Sequence, residues 1–154
     1  MHRILFVCHG NICRSPMAEF VMKDLVRRAG CDTEFVIDSM ACRTDELGND
    51  TYPGTKSVLD KHGIPYTSRR ARKICLDDYK SHDYIIGMDS ENIRDLMYMT
   101  DGDSEGKISL LMEWAGESRD VADPWYTGDF DRTYRDVTNG CQALLEMILK
   151  KDRE

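Results

Sequence analysis

Apolar residues along the chain follow two periods that alternate. Short unbroken runs at Arg3–Val7, Phe35–Asp38, Tyr84–Met88 and Lys107–Leu111, rich in Ile, Leu, Val and Phe, predict four buried strands. Between them the period lengthens to that of a helix. Met17, Phe20, Val21 and Leu25 mark one helix, closed by Gly30 after the basic pair Arg27-Arg28, and Pro53–His62 marks a second, ended by Gly63. Asp77–Ser81 predicts a short helix, and Asp89-Ser90 caps another that carries Ile93, Leu96 and Met97. Tyr134, Val137, Cys141, Leu144, Leu145 and Ile148 hold the last helix together from Phe130 to Lys150. The polar stretches Met40–Tyr52 and Thr100–Gly106 read as loops. Strands alternating with helices imply an α/β fold in which a parallel sheet is covered on both faces, a three-layer αβα arrangement. Ligands of such sheets bind beyond the carboxyl ends of the strands.

Composition narrows the picture. The 154 residues suit a single domain spanning 1–154. No apolar run is long enough to span a membrane, and the first residues lack the basic-then-apolar order of a secretory signal, so a soluble cytoplasmic protein with no membrane partner is expected. Without an export signal the six cysteines are expected to remain thiols. The net charge of −7 argues against a nucleic-acid partner, and it requires any anionic ligand to be attracted locally. Arg69, Arg70, Arg72 and Lys73 read as a solvated basic segment.

The chemistry concentrates in Val7-Cys8-His9-Gly10-Asn11-Ile12-Cys13-Arg14-Ser15-Pro16, which joins the first strand to the first helix. Ser15 as N-cap and Pro16 as first helical residue place this loop at a helix N-terminus. Unpaired N–H groups and the helix dipole favour an anion there, and Gly10 lets successive amides curl into a nest. Amides, dipole and the Arg14 guanidinium all stabilise a thiolate, the nucleophilic form of Cys8. The same donors suit phosphoryl oxygens, two of which fit the planar fork of Arg14. His9, Gly10, Asn11, Ile12, Cys13, Arg14 and Ser15 thus form a candidate phosphate cradle around a candidate nucleophile, Cys8. Cys13 has two readings, a redox partner of Cys8 or a small thiol packed under the loop. Cys8, His9 and Cys13 have no second ligand cluster near them in sequence, so neither metal nor cofactor is expected.

This loop, continued by Met17-Ala18-Glu19, resembles the phosphate loop of low-molecular-weight protein tyrosine phosphatases. Ile37-Asp38-Ser39, Asp83–Asp89 with Asn92, and Cys141-Gln142-Ala143-Leu144-Leu145 also resemble family segments, so the likeness covers nearly the whole chain. Ala122-Asp123-Pro124-Trp125-Tyr126 is similar to the family's second motif, Asp-Pro-aromatic-Tyr. The resemblance implies a four-stranded sheet of order 2-1-3-4 with about five helices. It implies hydrolysis of phosphotyrosine in proteins, or of small aryl phosphates, through a phosphocysteine on Cys8, with inorganic phosphate as product. Asp123 would be the general acid for the departing phenolate and then the base for water. Asn11, Ser15 and Ser39 would hold the loop's shape, and Ile12, Trp125 and Tyr126 would wall a slot for the phenyl ring. Two departures stand out. Trp125 replaces a usual Tyr, and a core position is the other reading of that ring. Arg69-Arg70-Ala71-Arg72 stands where the family often has His-x-Ala-Arg, which leaves Arg69 either to brace the loop in its own way or to face solvent.

Three rival activities use a similar loop. Arsenate reductases relay oxidation through two further mid-chain cysteines, where this sequence offers Cys75 alone. A phosphocarrier domain of sugar transport also holds phosphate on cysteine, but needs neither Arg14 nor Asp123. Protein-arginine phosphatases resemble this chain except for a threonine at the position of Ile12, whose branched apolar side chain is expected to favour a phenyl ring over a hydrated guanidinium.

Overall fold

The computed structural model describes residues 1–154. Strands β1 (His2–Cys8), β2 (Phe35–Ala41), β3 (Tyr84–Gly87) and β4 (Ile108–Leu110) form one parallel sheet in the order β2-β1-β3-β4. Central β1 is buried on both faces, so its side chains alternate between two cores. Ile4, Phe6 and Cys8 point into the larger one, with Met17 and Val21 of α1 (Arg14–Arg28), Leu59 of α2 (Pro53–Lys61) and Leu144 of α7 (Phe130–Asp152). Leu5 and Val7 point into the smaller one, with Tyr79 of α3 (Leu76–Ser81) and Leu96 of α4 (Ser90–Met99). The expected three layers are therefore present, and Cys8 ends β1 on the side of α1 and α7.

The structure has seven α-helices where about five were expected. The additional pair, α5 (Leu111–Trp114) and α6 (Pro124–Thr127), are single turns of four residues, too short to show a helical period. Local chemistry forms α6: Asp123 caps it by accepting from the Trp125 N–H, Pro124 occupies the first position, and Gly128 ends it at φ 70°. α5 takes over Leu111, which the sequence pattern assigns to the fourth strand, and buries it against α7. There a Cβ on Gly140 would lie 2.5 Å from Leu111 Cγ, so only glycine permits the approach.

The helix after the Cys8 loop also starts two residues earlier than expected. Arg14 is its first residue, Cys13 occupies the cap position with no side-chain cap bond, and Pro16 is third, still in the turn whose N–H groups lack helical acceptors. Ser15 is therefore not an N-cap; its hydroxyl turns to Cys8 instead. No helix is long and apolar enough to cross a membrane.

Candidate active site

β1 delivers Cys8 to the carboxyl edge of the sheet, and the chain returns through residues 9–13 into α1. The backbone N–H of Ser15 donates to Cys8 Sγ at 3.4 Å, and Ser15 Oγ lies 3.0 Å from the same sulfur. Asn11 Nδ2 donates to Ser15 Oγ (2.8 Å) and to Ser39 Oγ (2.9 Å), and Ser39 Oγ donates to Glu19 Oε1 at 2.6 Å. Proton counting gives this chain a direction. A hydroxyl has one proton to donate, and Ser15 Oγ accepts from Asn11, so its own proton is free for the buried Cys8 sulfur whenever that sulfur is a thiolate, which has no proton to give. Asn11 adopts φ 60°, a left-handed conformation that Asn tolerates better than most residues, and its side chain faces inward from there.

Arg69 settles one of the two departures. It turns in from the basic segment, donating through Nη2 to Asn11 Oδ1 and through Nη1 to Thr51 Oγ1 at 3.5 Å. Arg70, Arg72 and Lys73 remain exposed, as a solvated segment should. Arg69 therefore joins the bracing network rather than solvent.

Arg14 is held by a residue that sequence reasoning read only as a helix cap. Asp89 Oδ1 caps α4 by accepting from Asn92 N at 2.8 Å, while its Oδ2 accepts from Arg14 Nη1 at 2.7 Å. The same Nη1 donates to Val121 O at 2.9 Å, and Nη2 lies 3.4 Å from Asp123 Oδ2. Burial works against the guanidinium's charge, yet Cys8, Asp123 and Asp89 outweigh it and raise Arg14 above its ordinary value. Asp123 uses its other oxygen to cap α6, which leaves Oδ2 turned toward Arg14.

Cys8, His9, Gly10, Ile12, Cys13, Arg14, Asp123, Trp125 and Tyr126 line one cleft of about 400 Å³ together with Asp45, Glu46, Asp89 and Glu91. Asn11, Ser15 and Ser39 are buried outside that lining, where they tie the loop to α1 and β2. Trp125 is 55% exposed and Tyr126 85%, which excludes the core reading of Trp125; it meets Tyr52 edge-on at 5.2 Å. Ile12 is buried with Cys13 and Ala71, under Tyr52 and Phe130. His9 Nε2 lies 2.6 Å from Asp45 Oδ2 and Nδ1 3.7 Å from Glu91 Oε1, which pairs its imidazole with the carboxylates of the cleft. Burial pushes the Cys13 thiol up to about 12, reinforced by Cys8 and Asp123. No group of three or more His, Cys, Asp or Glu side chains is placed to hold a metal ion.

Sequence reasoning missed Asp89 and Glu19 as parts of the site, and left Arg69 open between bracing the loop and facing solvent. Glu19 lies in the stretch that continues the loop, and only the fold shows it buried against Ser39.

A cysteine at the carboxyl edge of a parallel sheet, set in a loop closed by a buried arginine and faced by a carboxylate, defines a class of α/β proteins with a cysteine-based anion site. The chain belongs to the low molecular weight phosphotyrosine protein phosphatase family, whose model matches residues 3–154. It is 38% identical over 153 residues to the low molecular weight protein-tyrosine-phosphatase YfkJ of Bacillus subtilis, covering 98% of each chain. It is 41% identical over 151 residues to the low molecular weight phosphotyrosine protein phosphatase of Schizosaccharomyces pombe, covering 95% of this chain and 96% of that one. The YfkJ crystal structure matches with a TM-score of 0.94 over 98% of this chain and 96% of that one. The Drosophila arginine phosphatase DARP matches at 29% identity with a TM-score of 0.87, over 94% of this chain and 96% of that one.

Proposed function

We propose that this enzyme hydrolyses phosphotyrosine in proteins, and small aryl phosphates, through a phosphocysteine on Cys8. The observation that carries the reading is the convergence on one cleft of the Cys8 sulfur, the buried Arg14 and the Asp123 carboxyl. The Cys8 thiolate attacks phosphorus, and the bond from phosphorus to the tyrosyl oxygen breaks. Asp123 protonates the departing oxygen, then takes a proton from the water that attacks phosphocysteine, and inorganic phosphate leaves. Arg14 Nη1 is engaged by Asp89 and Val121, so Nε and Nη2 form the edge that binds two phosphoryl oxygens as charge spreads in the transition state. Ser15 donates to the sulfur when it carries charge, both before attack and as the leaving group of the second step.

Cys8→Ser should abolish turnover of nitrophenyl phosphate while phosphate still binds, and full activity in that variant would overturn the mechanism. Arg14→Lys should also be severe, because a point charge cannot replace the fork.

A protein-arginine phosphatase is the second reading, favoured by the likeness to DARP. Ile12 supports tyrosine. It sits in an apolar cluster with Tyr52 and Phe130 beside the cleft, where a charged, hydrated guanidinium would lose hydrogen-bonding partners. An unpaired polar group costs about 1–3 kcal/mol, or roughly five- to 160-fold in relative rate. The purified enzyme should prefer phosphotyrosine in a side-by-side assay without added metal, and Ile12→Thr should raise the relative rate on phosphoarginine. A native enzyme faster on phosphoarginine would overturn the substrate assignment and leave the Cys8 chemistry standing.

A further inference from the structure

We infer that Arg119 is a positioning residue for Asp123: its bidentate bond to Asp136 of α7 sets the course of the segment that carries the acid past the carboxyl end of β3. This rests on the reading of Asp123 as the general acid of the proposed reaction.

Residues 117–123, which lead from α5 to α6, form neither helix nor strand. Val121 N–H donates to Met88 O at 2.8 Å, and this is the one main-chain hydrogen bond that residues 118–122 make. A segment tied so sparsely keeps a single course only where side chains fix it.

Those ties reach out to both layers of helices. Arg119 Nη1 and Nη2 donate to Asp136 Oδ2 and Oδ1 at 2.9 and 2.8 Å, a planar fork on one carboxylate. Nε and Nη2 also reach Glu117 Oε1 and Oε2 at 3.3 Å, within the segment itself. Asp120, next in sequence, turns the other way, where its Oδ1 accepts from Ser90 N and Ser90 Oγ, both at 3.0 Å, at the start of α4. The grip on α7 follows the chain in order. Thr133, Asp136 and Gly140 share one face of that helix by their spacing. Gly140 receives Leu111, Asp136 receives Arg119, and Thr133 Oγ1 donates to Ala122 O at 3.3 Å, immediately before the acid.

Burial makes the Arg119 bond hard to exchange. The Asp136 side chain is 10% exposed, and Arg119 is its only hydrogen-bonding partner, so a carboxylate withdrawn from water holds the guanidinium and the segment has to follow. Asp123 Oδ1 is already spent on the cap of α6, so a shift of the segment carries the whole carboxyl with it. Proton transfer requires hydrogen-bond reach and suffers from such a shift. Attack by Cys8 does not, because Asp89 keeps its hold on Arg14 if Val121 O moves away.

The test compares kcat/KM on phenyl phosphate, whose leaving oxygen needs a proton, with nitrophenyl phosphate, whose leaving oxygen needs it far less. Arg119→Met should lose about tenfold or more on phenyl phosphate and less than about twofold on nitrophenyl phosphate. Added to Asp123→Ala, it should cost nothing further on phenyl phosphate, since no acid remains to be placed. Thermal melts establish folding. Arg119→Met leaves the Asp136 charge without a partner, so if it does not fold, Arg119→Met with Asp136→Asn takes its place in the same comparison. A loss that is equal on the two substrates, absent, or fully additive with Asp123→Ala would overturn the inference alone. Equal losses on both substrates in Asp123→Ala itself would overturn the acid role of Asp123, and the inference with it.

Discussion

Asp89→Asn and Asp89→Ala, measured side by side, separate two tasks of one carboxylate. Oδ1 accepts Asn92 N at 2.8 Å and caps α4, while Oδ2 accepts Arg14 Nη1 at 2.7 Å. The Arg14 side chain is 3% exposed and that of Asp89 20%, so this pair is neither a surface bridge nor a fully buried one. Exposed pairs contribute about 0–1 kcal/mol, and breaking a buried one costs about 3–5 kcal/mol. Val121 O keeps one partner on the same nitrogen, which places the loss at about 1.5–3 kcal/mol, the range for a hydrogen bond to a charged group. Asn caps a helix about as well as Asp, so Asp89→Asn should lose this amount alone, and Asp89→Ala about 1 kcal/mol more. Urea unfolding with an unchanged slope reads both values. Both variants let Arg14 drift from the cleft, and a displacement near 1 Å costs about a hundredfold in kcat/KM. Equal stabilities of the two variants would refute the cap, and native turnover in either would refute the claim that Asp89 aims Arg14.

Asp123→Ala should slow phenyl phosphate, a poor leaving group, by about 10²–10⁴-fold and nitrophenyl phosphate far less; equal losses would assign Asp123 to the α6 turn alone. Peroxide should oxidise Cys8 to a sulfenic acid that condenses with the Cys13 thiol, releasing water. Inactivation should then be reversed by dithiothreitol in the native enzyme but not in Cys13→Ser, and equal recovery would leave Cys13 as a packing residue. Burial pushes Asp103 up, but the Tyr79 hydroxyl and the N–H groups of Ile108 and Lys107 outweigh it and hold the carboxyl below its ordinary value. The stability it contributes is therefore complete above about pH 4 and lost as pH falls through the lowered value. Asp103→Asn should thus unfold at lower urea at pH 7 and show a flatter acid decline, whereas parallel curves would deny the ionised form any role.

The strands were legible because the sheet is buried on both faces, which turns Arg3–Val7 and Tyr84–Met88 into unbroken apolar runs. The long helices were legible by period and by Gly30 and Gly63, both left-handed at φ 72° and 68° where the chain leaves α1 and α2. Single turns carry no period. α6 owes its existence to an Asp-Pro cap, a local signal that a turn shares with a helix, and α5 to the space that Gly140 opens across from Leu111, which no window of local sequence shows. Ser15 was misread for a related reason. Serine before proline has the composition of a cap, but the buried sulfur of Cys8 competes for the hydroxyl and the helix begins two residues earlier.

Cys8, Arg14 and Asp123 were legible because motif spacing carries them. Asp89 and Glu19 were not, and Arg69 was left between two readings, because each acts across the fold on a residue distant in sequence: Asp89 on Arg14, Glu19 on Ser39, Arg69 on Asn11. They also answer the charge problem that the sequence poses. A chain of net charge −7 has to favour an anion, and the cleft itself is lined by Asp45, Glu46 and Glu91. Those carboxylates have partners, however: His9 sits between Asp45 and Glu91, and Glu46 accepts from Asn49. Paired and partly exposed charges are screened within roughly 8–10 Å at physiological salt. Arg14 is withdrawn from water and Arg69 half-buried, where the effective dielectric is lowered and a fixed cation acts strongly on its immediate neighbours. The acidic surface therefore sets the protein's long-range charge, while selection for the anion takes place at the bottom of the cleft, by donors already fixed in position before the ligand arrives.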